Sequence, residues 1–184
     1  MQQERHRSRN SQLTGAWRLA WQATLVALVL ALSAGASAAD RLVADLNRLL
    51  KSHGPDAVNA RLSEYWETQS AHLGELTERC DVEAMTLSLA LLQTTNLEAL
   101  AGHHYSLQVA MGRCPGTLLP MMPYDRVQEL CSVDAYIEAN PEKDPHKEVA
   151  RRLANLRRLG LAAISAKGKA CVAAYERQSR DVTK

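Results

Sequence analysis

The sequence predicts an all-α protein: a single disulfide-linked helical bundle of five or six helices behind a cleaved signal peptide. Three observations carry that prediction. Leu and Ala, both strong helix formers, dominate a chain that is 46% hydrophobic. Apolar residues recur at three- and four-residue spacing, whereas period-two alternation of β-branched residues is almost absent. The 9 Gly and 6 Pro cluster at a few sites, such as Gly54-Pro55 and Pro115-Gly116, and break the pattern there. No fixed-period repeat appears, which excludes a solenoid. The apolar content is too high for wholesale disorder.

Residues 1–39 read as a secretory leader, and residues 40–184 as one helical domain. Arg5, Arg7, Arg9 and Arg18 make a basic start, offset by Glu4 alone. An apolar run over 23–32 passes into small residues that include Ala36-Ser37-Ala38, a cleavage signal with Ala38-Ala39 at the junction. The run is shorter than the roughly 20 apolar residues a membrane span needs, which disfavours the rival reading of an uncleaved anchor. No Cys follows the junction, so a lipid anchor there is not expected. The whole chain carries 22 basic and 20 acidic residues. Loss of four arginines and one glutamate with the leader turns its net charge from +2 to −1. The expected location is periplasmic or secreted, and the expected mature chain has no integral membrane segment.

Within the mature part, Asp40 is placed to cap a first helix that ends at Gly54-Pro55. A second helix from there carries Val58, Leu62, Tyr65 and Trp66, with Gly74 near its far boundary. Helical spacing continues to Gly112. Thr94-Thr95-Asn96 interrupts it weakly, because these side chains compete for backbone hydrogen bonds. Two helices over 79–94 and 96–112 are favoured over one long helix. Cys114-Pro115-Gly116 breaks the chain, and 115–122 is read as a connection. A helix over 123–139 follows and ends at Asn140-Pro141. Asp144-Pro145 then opens a last helix of more than thirty residues, with Val149, Leu153, Leu156, Ala163, Ile164, Cys171 and Tyr175 in its apolar stripe. Gly160 and Gly168 are its weak points.

Cys80, Cys114, Cys131 and Cys171 all lie in the mature part. In an exported chain they read as two disulfides. Three pairings are open. Cys80–Cys114 requires a hairpin near Asn96, because a straight helix would hold the two about 50 Å apart. A level arrangement of the later helices slightly favours Cys114–Cys171 with Cys80–Cys131.

Residues that carry chemistry are sparse. His103 and His104 are adjacent, so on a helix they point about 100° apart, and no His, Asp or Glu lies three or four residues away to complete a metal site. Met85, Met111, Met121 and Met122 offer soft sulfur, but their spacing matches no copper pattern and suits core filling. Nucleophile, zinc-protease, Cys-x-x-Cys and haem-attachment motifs are absent. The expectation is a protein without catalysis and without a cofactor. From Lys147 to Lys169 seven basic residues face one acid, Glu148. This stripe includes Arg151, Arg152, Arg157 and Arg158. It is either a solvated face or a surface for an acidic partner. Export argues against nucleic acid as that partner.

The stretch 133–153 carries Tyr136, Glu138 and Asn140-Pro141-Glu142, then an amphipathic helix from Pro145 with Cys171 further on. In this it resembles the small periplasmic immunity proteins that neutralise amidase effectors delivered by type VI secretion. The resemblance implies an exported, helical, cysteine-containing protein that inhibits without catalysing. The leading expectation is therefore a periplasmic helical protein that binds another protein, with an immunity or inhibitor role as its sharpest version. The alternatives are a metal-handling protein using His103, His104 and the methionines, and a structural or stress component of the envelope. Met and Arg are enriched at interfaces. The surfaces expected to meet a partner are accordingly the 115–124 connection, with Met121 and Met122, and the stripe of Arg151, Arg152, Arg157 and Arg158.

Overall fold

In a computed structural model, which describes residues 38–161 and 165–181, every regular element is helical. Residues 1–37 of the expected leader over 1–39 lie outside the described residues, as do Ala163 and Ile164 of the expected last stripe. Helix α1 (Ala38–Glu64) begins before Asp40, the residue expected to open it. At Gly54 the helix breaks with φ 80° and ψ 178°, a backbone conformation that glycine alone adopts freely. A π-helical turn, Trp66–Ser70, leads into α2 (Ala71–Glu78). Gly74 lies inside α2 and not at a boundary. A Cβ there would stand 3.1 Å from Ser106 Oγ, so the glycine serves close packing.

Helices α3 (Val82–Leu91) and α4 (Leu97–Arg113) form the hairpin that the Thr-Thr-Asn interruption suggests. Asn96 caps α4 by accepting from the amides of Glu98 and Ala99 at 3.1 Å each. Thr94 donates to Asp56 Oδ1 at 2.7 Å, which ties the turn to α1.

Beyond the hairpin the chain divides more finely than periodicity indicates, so the helices outnumber the expected five or six. The expected connection over 115–122 is a helix, α5 (Pro115–Met121). Pro115 at its first position loses no hydrogen bond there, and Leu118 and Leu119 are buried. The expected helix over 123–139 is three pieces: a 3₁₀ turn (Tyr124–Arg126), α6 (Val127–Leu130) and α7 (Asp134–Ala139). The break falls at Cys131-Ser132-Val133. There Ser132 Oγ accepts from the Asp134 amide at 3.0 Å, and the Val133 amide donates to Gln178 at 3.2 Å. Among the described residues the expected long last helix is two, α8 (Pro145–Arg158) and α9 (Ala166–Asp181), with a break at Gly160, φ 66°. Asp144 caps α8 through the His146 and Lys147 amides, as the Asp-Pro pair predicts.

Two apolar clusters fill the interior. The larger joins Met85, Leu107, Met111, Leu118, Leu119 and Tyr175 with other residues of α3 to α9. The smaller joins Val43, Leu46, Val58 and Leu62 of α1 to Leu73 of α2 and Ala84, Leu87 and Leu91 of α3. Helix α3 feeds both clusters, which explains why it is apolar nearly all round.

The four cysteines pair as Cys80–Cys114 and Cys131–Cys171, with Cα separations of 6.2 and 5.2 Å. This corrects the pairing favoured from sequence. The α3–α4 hairpin returns Cys114 to the end of α2, and α9 folds back against α6 because the last helix is broken. Among the described residues no helix is long and apolar enough to cross a membrane.

Candidate functional site

Where α1 ends, the chain does not turn tightly. The π-helical segment carries hydrogen bonds from the Ser70 amide to Tyr65 O at 3.3 Å and from the Ala71 amide to Trp66 O. The additional residue per turn widens the helix, and such insertions recur at functional sites. Arg61 Nε braces the turn by donating to Gln69 Oε1 at 3.0 Å. Val58 and Leu62 face inward, but Tyr65 and Trp66 are 46% and 56% exposed.

Trp66 stands beside a cleft of about 320 Å³ between the end of α1, the π turn, α2 and α4. Leu62 and Leu73 form apolar wall, Gly74 also lines it, and Gly102 leaves it open. A Cβ on Gly102 would meet nothing within 4 Å. Glu78, Glu98, His103 and Tyr105 supply the titratable groups, and no Lys or Arg lines the cleft among the described residues.

His103 is 92% buried, with relative exposure of 8%. Its Nε2 lies 2.8 Å from Asn59 Oδ1, while Asn59 Nδ2 donates to Leu91 O at 3.3 Å. Asn59 Oδ1 is thus the acceptor, and the imidazole proton sits on Nε2. Nδ1 keeps its lone pair and has no partner among the described residues. Burial, with a smaller contribution from His104, lowers the His103 pKa to about 4, so the ring is neutral near pH 7. Burial also pushes the Glu78 carboxyl above its ordinary range. Arg113 opposes that shift, while Glu75 adds to it. Arg113 itself donates to the Glu78 carbonyl at 2.9 Å, outside the lining.

His104 points elsewhere. Its Nε2 is 2.7 Å from Glu129 Oε1, without hydrogen-bond alignment. Burial lowers its pKa; Glu129 raises it and Arg126 lowers it. The two histidines are therefore committed to different neighbours, Asn59 and Glu129. Among the described residues no three His, Cys, Asp or Glu side chains gather as a metal cluster. Met85, Met111 and Met122 are buried in the larger core, and Met121 packs against it.

The surface expected from sequence is divided by burial. Met122 is fully buried and Arg152 is 2% exposed, so both belong to the interior. Arg152 Nε donates to Glu148 Oε1 at 2.8 Å, and its Nη1 donates to Gln108 O at 2.7 Å, Ser132 O at 3.3 Å and Tyr175 Oη at 3.4 Å. Its guanidinium also lies 5.2 Å from the Tyr136 ring centre. Arg151 grips the same Glu148 from the surface at 2.6 and 2.8 Å. Burial favours the neutral Glu148 acid, but the hydrogen bonds from Arg151 and Arg152 outweigh it and hold the pKa at about 2. Arg157 and Arg158 remain exposed and donate to Glu176 and Asn155 at 2.9 Å each.

Sequence reasoning missed the cleft. The available signal was Tyr65-Trp66 followed by the polar run Glu67-Thr68-Gln69-Ser70, in a chain with 4% aromatics. No family model, curated protein or solved structure matches this chain.

Proposed function

We propose that this is an exported, non-catalytic binding protein that acts by covering part of a partner protein, with an immunity or inhibitor role as the sharpest form of that reading. One observation carries it: Trp66 is 56% exposed beside an open cleft, with exposed Tyr65 next to it. Exposed Trp and Tyr at a concavity are the side chains in which binding energy concentrates. The two disulfides suit an oxidising compartment.

The contact surface on this reading is the π turn and the cleft, not the Met121–Arg158 region first expected. Arg157 and Arg158 are left as a solvated rim. The test is capture of a stoichiometric protein partner from envelope extracts with a tagged chain, followed by affinity measurement on variants. Trp66→Ala is expected to weaken binding by at least about 2 kcal/mol, roughly thirtyfold. A partner bound equally well by Trp66→Ala, or no stoichiometric partner under several growth conditions, overturns the reading.

A further inference from the structure

We propose that the cleft receives one lysine or arginine side chain of the partner protein, its aliphatic stem against Trp66 and Leu62 and its cation facing Glu78 and Glu98. The inference rests on the partner-binding reading above and adds the chemistry of what is bound.

Size comes first. At about 320 Å³ the cleft lies at the bottom of the range for ligand pockets, roughly 300–1,000 Å³. That suits a single long side chain better than a lipid or a nucleotide-sized cofactor.

Charge comes second. The lining holds two carboxyls and no Lys or Arg among the described residues. The other titratable groups of the lining are Tyr105, whose phenol has no cationic form, and His103, which is held neutral by burial. The pocket therefore favours a cation and penalises an anion. Burial of Glu78 works in the same direction. A carboxyl that has lost part of its hydration gains more from an incoming cation than a fully solvated one does.

Donor and acceptor chemistry comes third. Trp66 offers an aromatic face of the kind that ammonium and guanidinium groups seek. His103 Nδ1 is an acceptor without a partner among the described residues, on a side chain more than nine-tenths buried. Ser106 Oγ, on the same stretch of α4, also makes no hydrogen bond among the described residues and lines the cleft. A cationic head bearing several N–H donors satisfies these acceptors, and a carboxylate does not.

Exposure decides between a side chain and a free amine. Tyr65 and Trp66 extend the apolar surface beyond the mouth, where a small amine makes no contact and a protein surface does.

The experiment uses the purified chain and four probes: n-butylguanidinium, n-butylammonium, n-butanol and butyrate. Binding is followed by ¹H–¹⁵N shifts of the Gly74 and Gly102 amides and the Trp66 indole. The two cations are expected to move these signals saturably, and the alcohol and the anion are not. In the Glu78→Gln/Glu98→Gln double variant, which removes charge without changing shape, affinity for the cations is expected to fall roughly tenfold. Unchanged signals far from the cleft verify that the variant is folded. Affinity for the captured partner is expected to fall by a similar factor in the same variant. It is also expected to fall when one basic residue of the partner is replaced by Ala. Butanol or butyrate binding as well as the cations overturns the inference, as does full partner affinity in the double variant. If Trp66→Ala abolishes partner binding while the double variant retains it, the cation inference fails and the partner reading stands. If no partner is captured, the partner reading fails, and the probe titration alone decides whether the cleft selects cations.

Discussion

Arg152 is among the largest fully buried side chains of the described residues, and its burial is tolerable because Nε and Nη1 of its guanidinium meet acceptors and its face lies over the Tyr136 ring. Glu148 is the charged member of that set. Removing one partner of a buried ion pair leaves the other without compensation. Glu148→Ala is therefore expected to destabilise the fold by about 3 kcal/mol or more in urea denaturation. Gly112 belongs to the same device. A Cβ there would lie 3.0 Å from Arg151 Nη2 and 3.3 Å from the Arg152 guanidinium. His103 gives a pH signature of definite sign. Its folded pKa, about 4, lies below the ordinary 6.5, so the unfolded chain binds more protons between those values. The stabilisation is present above about pH 6.5 and is lost as pH falls toward 4, by about 3 kcal/mol in total. Burial lowers His104 as well and acts in the same direction. Glu148, depressed to about 2, loses its contribution in a lower window, from about 4.5 downward. His103→Gln is expected to flatten the stability profile between pH 6.5 and 4 and to leave the lower window unchanged. An unaltered upper window in that variant would place the acid sensitivity elsewhere.

At the scale of elements, the breaks between helices govern how the pieces meet. Gly160 adopts φ 66° with open space around its Cβ position. Gly160→Ala should thus cost only the left-handed backbone penalty, about 1 kcal/mol. At Gly168 a Cβ would clash with the Leu161 carbonyl. Gly168→Ala must displace backbone and is expected to cost clearly more than Gly160→Ala in the same denaturation series. Each disulfide closes a long loop, with sequence separations of 34 and 40. The chain-entropy model assigns such loops about 4 kcal/mol each. Replacing Cys80 and Cys114 together by Ser is expected to lower the unfolding free energy by that order. It should loosen the α2–α4 junction next to the cleft more than the α6–α9 junction, as read by hydrogen exchange.

For the molecule as a whole, the expected route is export followed by oxidative folding. Intact-mass analysis of protein recovered from cells is expected to give an amino terminus near Ala39 or Asp40 and no free thiols. An uncut chain with four reduced cysteines, recovered from cytosol, would contradict both the route and the binding role built on it. The two apolar clusters share α3, so the α1 end and the α8–α9 end are stabilised through one helix that contributes buried residues to both. Cooperative unfolding in a single transition is the expected consequence.

Helix content, the Gly54 break, the Asn96 hairpin and the Asp144 cap were legible in the sequence because each depends on local chemistry: backbone freedom at glycine, and side-chain oxygens beside free amides. The number of cysteines and the two-bridge arithmetic were legible for the same reason. Pairing was not, since it depends on how far α4 and α9 double back, and that follows from breaks of a few residues at Cys131-Ser132-Val133 and Leu159-Gly160. The fate of the arginine stripe was also hidden. Spacing places Arg151 and Arg152 side by side, but only the packing of α8 against α4 and α9 sends one to solvent and the other to Gln108, Ser132 and Tyr175. The cleft belongs to the same class. Its lining comes from positions 59 to 106, brought together by burial of the neighbouring apolar faces, and no local pattern encodes a cavity that distant segments enclose.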